Sequence, residues 1–270
     1  MLVLLSPAKR LHEGPALADF PGTSRRLGDA SDALIGVVKT LEATDLRALM
    51  HISQDLADLN VGRFEALTTH DQPDGARQAL FLFDGDVYRG LDAASLSSET
   101  VAWAQDHLRI LSGLYGGVRP LDLVQPYRLE MGTKLQNPGG ANLYRYWGTT
   151  IADALMADSA GHADDTIVNL ASTEYSRAAL VKKALTRRVV TPVFKEVKDG
   201  KSRVISFLAK VSRGRMARWI LEERVSTVAQ LRTYAGDGYV LNEAESTEDR
   251  WVFERPQPPP VAEQRRQQGR

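Results

Sequence analysis

The sequence predicts an α+β (mixed α/β) fold: a single domain with a mixed β-sheet flanked by helices. Three observations carry that expectation. Segments with 3.6-residue apolar spacing alternate irregularly with short apolar runs, unlike the regular order of a doubly wound sheet. Asp199-Gly200 stands between two such runs and marks an antiparallel hairpin. The length of 270 residues, with 43% hydrophobic and 25% charged side chains, suits one large core.

Taken in order, MLVLL (residues 1–5) is stopped at once by Ser6-Pro7 and reads as a buried first strand. It is far too short for a signal sequence or a membrane span, so a soluble, cytoplasmic protein with no membrane partner is expected. Leu34, Val37, Val38 and Leu41 make an amphipathic helix, and a second helical stretch is expected over 45–67 with a break near Ser53. QALFLF (78–83) reads as a strand ending in the turn Asp84-Gly85. Val101, Ala104, Leu108 and Leu111 give a helix that feeds the glycines 113, 116 and 117. A helix follows over 142–158, a buried strand over 166–170, hairpin strands over 189–197 and 202–210, a helix over 214–224, and short strands over 238–241 and 250–254. Residues 256–270 are rich in proline, glutamine and arginine and cannot build a core, so the domain is expected to span 1–255 and the remainder to be a disordered tail.

The formal net charge of zero hides an asymmetry. Residues 19–106 carry 15 acidic and 7 basic side chains, whereas 177–224 carry 14 basic and 4 acidic ones. Such a split permits a basic face on a neutral protein, and the local field governs anion binding. The chain has no cysteine, which excludes disulfides, thiolate metal sites, iron–sulfur clusters and thiol peroxidase chemistry. The histidines (12, 51, 70, 107 and 162) are scattered, and no HExxH, GxSxG or Walker pattern occurs, so no metal and no cofactor is expected and the catalytic residues, if any, are unknown.

Two clusters suit a phosphate. Gly113-Leu114-Tyr115-Gly116-Gly117 after a helix approaches a helix-hairpin-helix element, in which glycines let backbone N–H groups reach a phosphate; Arg119 lies just downstream. A glycine-capped helix end is the plainer alternative. Lys210, Arg213, Arg215 and Arg218 form a basic cluster read as opening a helix, with surface ion pairs as its alternative. Lys182 and Lys183 add to that basic region. Three strand ends are polar and together describe a cleft: Lys9 after the first, Asp86 and Tyr88 after the second, and Asn169, Ser172, Glu174 and Tyr175 after the third. Each taken singly is ordinary turn chemistry.

LSPAK (5–9), GDVYRGL (85–91), LSGLYGGVRPLDLVQPYRLEMG (111–132), NLASTEY (169–175) and the 210–218 cluster together resemble the YaaA family of peroxide-stress proteins, in order along residues 1–255. The resemblance implies a cytosolic protein that protects DNA and other targets from hydrogen peroxide and limits free iron. It further implies a single YaaA-like domain with a positively charged cleft, a helix-hairpin-helix element and binding of double-stranded DNA. Asp84 departs from the family pattern, which carries lysine there; an anion at that turn weakens any phosphate contact. The expected DNA contacts are Gly113, Tyr115, Gly116, Gly117, Arg119, Lys182, Lys183, Lys210, Arg213, Arg215 and Arg218, in a monomer. The alternative is an enzyme acting on a nucleotide or damaged nucleobase in the cleft formed by Lys9, Asp86, Tyr88, Asn169, Ser172, Glu174 and Tyr175. Helix-hairpin-helix glycosylases follow their hairpin with a catalytic aspartate, but Asp122 arrives too soon after Gly117 for that parallel.

Overall fold

A computed structural model describes residues 1–69 and 74–259. The chain opens with β1 (Leu2–Leu5), buried along its length as its apolar run requires, and the short strand β2 (Arg10–Leu11). Helices α1 (Gly28–Val38), α2 (Ala43–Met50) and α3 (Gln54–Ala66) follow, and Ser53 begins the last by accepting from the Leu56 N–H. Next come β3 (Arg77–Gln78), α4 (Ala79–Leu82), β4 (Phe83–Asp84), α5 (Asp86–Leu91) and α6 (Ser98–His107). Strands β5 (Leu108–Ser112), β6 (Gly116–Val118) and β7 (Leu123–Val124) precede helices α7 (Leu143–Trp147) and α8 (Thr150–Asp158). The last third holds β8 (Ile167–Asn169), α9 (Thr173–Ala179), β9 (Val189–Lys198), β10 (Lys201–Arg203), α10 (Ser206–Glu222), β11 (Val240–Leu241) and β12 (Arg250–Pro256).

The main sheet runs β11-β12-β9-β8-β1-β5-β6, with β10 paired to β9. Its centre, from β12 to β5, is parallel; β6, β10 and β11 are antiparallel additions. This is the mixed sheet flanked by helices that the sequence predicts. The chain leaves β1 toward β5 on one side and leaves β8 toward β9 on the other. The carboxyl ends of β1 and β8 therefore border a topological switch point, where open sheets leave a crevice.

Four local expectations fail for physical reasons. QALFLF is one helical turn, α4, between two-residue strands; all four of its residues are buried, and continuous burial removes the periodicity that separates helix from strand. Helix α6 ends at His107, and the next five residues are the fully buried strand β5, paired antiparallel with β6. The expected helix-hairpin-helix is thus a helix followed by a β-hairpin. The helix over 142–158 is split at Gly148, whose φ of +47° leaves the helical region. The strand after Asp199-Gly200 stops at Arg203, and α10 starts at Ser206, so the arginine cluster lies inside a helix and does not open one. At the far end Pro256 is still in register with Val197, and the Gln257 N–H donates to the Val197 carbonyl at 2.9 Å. Residues 260–270 of the expected tail, like His70, lie outside the described residues.

Candidate functional site

The crevice at the switch point is a cleft of about 470 Å³. Ser6, directly after β1, and Ser172, just beyond β8, meet at its base. Ser6 Oγ accepts from the Ser172 N–H at 2.8 Å and donates to Ser172 Oγ at 3.2 Å. Parallel neighbours end side by side, so two turn residues far apart in sequence are brought into contact. Tyr88 of α5 donates to the Ser6 carbonyl at 3.0 Å, which ties the second polar segment to the first. Helix α10 supplies Lys210 and Arg213, and the segment from Tyr127 to Glu130 closes another wall.

What brings α10 to the cleft is a glycine pair. A Cβ on Gly214 would collide with the Val87 carbonyl oxygen, and one on Gly90 with that of Val211. Only hydrogen at both positions lets α5 and α10 touch backbone to backbone. That contact sets Lys210 and Arg213 beside the Gly85–Tyr88 turn.

The charges around the cleft fall into two classes. Arg10 grips Asp84 through two contacts, 2.7 and 2.8 Å, across the β2–β4 pair. The residue that departs from the family pattern is therefore neutralised by its cross-strand neighbour. Asp86 pairs with Arg89. Glu130 accepts from Lys9 at 3.1 Å and from Arg128 at 3.1 Å. Glu174 accepts from the Gly132 N–H at 2.8 Å. The Arg213 side chain has no ion pair or hydrogen bond with any described residue, and neither has that of Lys210. Six cations against four carboxylates leave the lining with a surplus of two positive charges. Burial pulls the Arg213 pKa below its ordinary value, as it does for any cation drawn partly out of water.

The floor is neutral. Tyr88, Tyr127 and Tyr175 are buried, and desolvation raises all three phenol pKa values, so each keeps its proton. The Tyr127 hydroxyl lies 2.5 Å from Ser112 Oγ.

Six of the seven expected cleft residues (Lys9, Asp86, Tyr88, Ser172, Glu174 and Tyr175) line this one cavity. Asn169 does not: it accepts from the Ala171 N–H at 3.1 Å and donates to Thr191 at 3.3 Å, fixing the turn after β8. The expected DNA contacts separate further. Gly113, Leu114, Tyr115 and Gly116 are buried, and Trp147 Nε1 donates to the Gly113 carbonyl at 3.0 Å. A Cβ on Gly113 would strike the Leu129 carbonyl, and Gly116 (φ +73°) sits against Trp147 and Leu27. The hairpin with Gly117 is a piece of sheet packed under other elements and offers no open backbone to a phosphate. Arg119 is occupied by Asp122 at 2.9 Å and by the Ser24 carbonyl. Arg215 pairs with Asp237, and Arg218 donates to the carbonyls of Leu91 and Asp92 at the end of α5. Lys182 and Lys183 are exposed beyond α9, away from the cleft lining.

Sequence reasoning missed Tyr127, Arg128 and Glu130, although all three stand in the fingerprint 111–132. It also missed the stack of His107 on His162, ring centroids 4.5 Å apart, on residues far apart in sequence. Among the described residues no group of three or more His, Cys, Asp or Glu side chains is placed to hold a metal ion.

Residues 1–245 match the family model described as peroxide stress protein YaaA. The chain belongs to that family. It is 49% identical over 257 residues to a UPF0246 protein of Alteromonas mediterranea, covering 95% of this chain and 99% of that one. UPF0246 proteins of Idiomarina loihiensis (49%, 94% of this chain and 98% of the relative) and Aliivibrio fischeri (47%, 94% and 98%) are similar over nearly the same span. The family match covers every segment of the cleft, from Ser6 to Arg213. No described helix is long and apolar enough to cross a membrane.

Proposed function

We propose that this peroxide-stress protein acts in the cytosol by binding double-stranded DNA across the mouth of the Ser6–Ser172 cleft, as a monomer, and so protects it from oxidative damage. The family description supplies the general role. The observation that carries the choice of partner is the surplus of positive charge at the cleft, with Lys210 and Arg213 free of protein carboxylates. A polyanion supplies the charge that the protein withholds. Lys9 is 69% exposed even while bridged to Glu130, and it can exchange that partner for a phosphate. The buried hairpin and Arg119 have no part in this reading. Lys182 and Lys183 remain outer contacts for a long duplex.

Contacts of this kind read the backbone, so they are insensitive to sequence and release counterions. Fluorescence anisotropy of a labelled 20-mer duplex, titrated between 50 and 200 mM salt, tests the reading. Three phosphate contacts give a log–log slope of about −3, and Lys210→Gln makes it shallower by about one. An affinity that stays constant across that salt range overturns the proposal.

A further inference from the structure

We infer that the cleft encloses one nucleoside monophosphate unit, with its phosphate on Arg213 and Lys210 and its base against the tyrosine floor. The inference rests on the DNA reading only where that unit belongs to a strand. Three observations lead to it.

The first is size. A cleft of about 470 Å³ falls among pockets that swallow a single small ligand, roughly 300–1,000 Å³. A stack of base pairs lies over its mouth and does not enter. A duplex alone therefore leaves the interior unused.

The second is the division of the lining. The charged groups of the lining include Lys210 and Arg213 on α10, whereas Tyr88, Tyr127, Tyr175, Leu129 and Leu170 add surface that is nearly all carbon and buried. A ligand matching both parts has an anionic end and a flat, uncharged, stackable end. Ser172 adds a polar point between them. Its hydroxyl accepts from Ser6 and keeps its own proton free of any described acceptor.

The third is Arg213. Three carboxylates of the lining pair with cations, Glu174 accepts from the Gly132 N–H, and none forms an ion pair with this partly buried guanidinium. An unpaired charge drawn out of water is costly, and a bound phosphate removes the cost with charge-assisted hydrogen bonds. Lys210 stands one turn earlier on α10 and faces the same cavity. The unit has two sources, a free nucleotide or a residue swung out of a strand, and the chemistry recognised is the same.

Isothermal titration of the full chain with thymidine 5′-monophosphate, thymidine and inorganic phosphate tests the inference. The monophosphate is expected to bind with one site per chain, and the other two at least tenfold more weakly, since each meets half of the lining. Arg213→Gln should weaken the monophosphate at least tenfold. Lys210→Gln, on an exposed residue that cannot threaten folding, should weaken it several-fold, while Lys198→Gln on the distant β9–β10 turn leaves it unchanged. A duplex carrying one unpaired 2-aminopurine identifies the source. Fluorescence change on binding, reversed by the free monophosphate, assigns the site to an extrahelical residue; saturable monophosphate binding without that change assigns it to a free nucleotide. Absence of both, or monophosphate binding undiminished in both variants, overturns the inference. Salt-dependent duplex binding without nucleotide binding leaves the DNA reading standing and removes this one; the reverse result does the opposite.

Discussion

Arg109 and Arg213 are both desolvated guanidinium groups, and both have pKa values drawn down by burial, yet their surroundings differ in kind. Arg109, near the start of β5, donates to Asp158 at 2.5 Å and to the carbonyls of Gln105 and Leu108 at 2.9 and 2.7 Å. Asp158 also takes Arg26, so two cations share one buried carboxylate at the end of α8. Arg213 lines the cleft and has no such partner among the described residues. The same side chain, buried in one place and partly buried in the other, is a fastener in the first and an open valence in the second. What distinguishes them is whether the fold provides the counter-charge. That difference supports the proposal that Arg213 meets an anion from outside the chain.

The largest effect expected is on the fastener. Asp158→Ala strands the buried Arg109 without its anion, along with the exposed Arg26, and one uncompensated buried charge of this sort costs about 3–5 kcal/mol. Urea unfolding should show the loss as a fall in midpoint at unchanged slope. Arg213→Gln, read in the same assay, should shift stability by no more than about 0.5 kcal/mol, because no protein contact is removed. Equal destabilisation by the two variants would erase the distinction between them.

Gly214→Ala comes next and acts on the cleft through its scaffold. The added methyl meets the Val87 carbonyl and forces α5 and α10 apart, at a cost of about 1–3 kcal/mol for overpacking. The variant should also lose duplex affinity while every charged residue of the cleft is retained. Calorimetry and anisotropy on one preparation separate the two losses. Retained affinity at full stability would mean that the helix crossing does not set the position of Lys210 and Arg213.

How much of this was legible in the sequence depends on the range of the interaction. The apolar start, the Asp199-Gly200 hairpin and the polar strand ends are local signals, and six cleft residues followed from them. The fingerprint 111–132 was read for its glycines, but glycine in a sequence does not tell an open loop from a tight one. Here Gly113 and Gly116 are required by the crowding of Leu129 and Trp147, and the residues that face the cleft are Tyr127, Arg128 and Glu130 farther along. The charge run 210–218 carried the same ambiguity. Arg215 and Arg218 meet Asp237 and the end of α5, partners that only the tertiary fold supplies. Gly90 and Gly214 look like helix weakeners until the two helices cross.

The smallest effect concerns pH and separates the two arginine regions by their neighbours. His162, stacked on His107, has its pKa lowered to about 4, chiefly by burial and then by the Met1 ammonium, His107 and Arg109. His107 is lowered too, again mainly by burial. A histidine kept neutral in the folded state and free to protonate near pH 6.5 when unfolded means that the unfolded chain binds more protons between those values. Stability contributed by this pair is therefore complete above about pH 6.5 and declines as the pH falls toward 4. No described histidine lines the cleft. Melting temperatures should thus fall from pH 7 to pH 5 and fall less steeply in His162→Gln, while duplex affinity, whose phosphodiesters do not titrate in this range, holds level between pH 7.5 and 6.5. Identical slopes in both proteins would detach the histidine stack from the Arg109 region. A binding curve that tracked the stability curve would show that the cleft depends on that region after all.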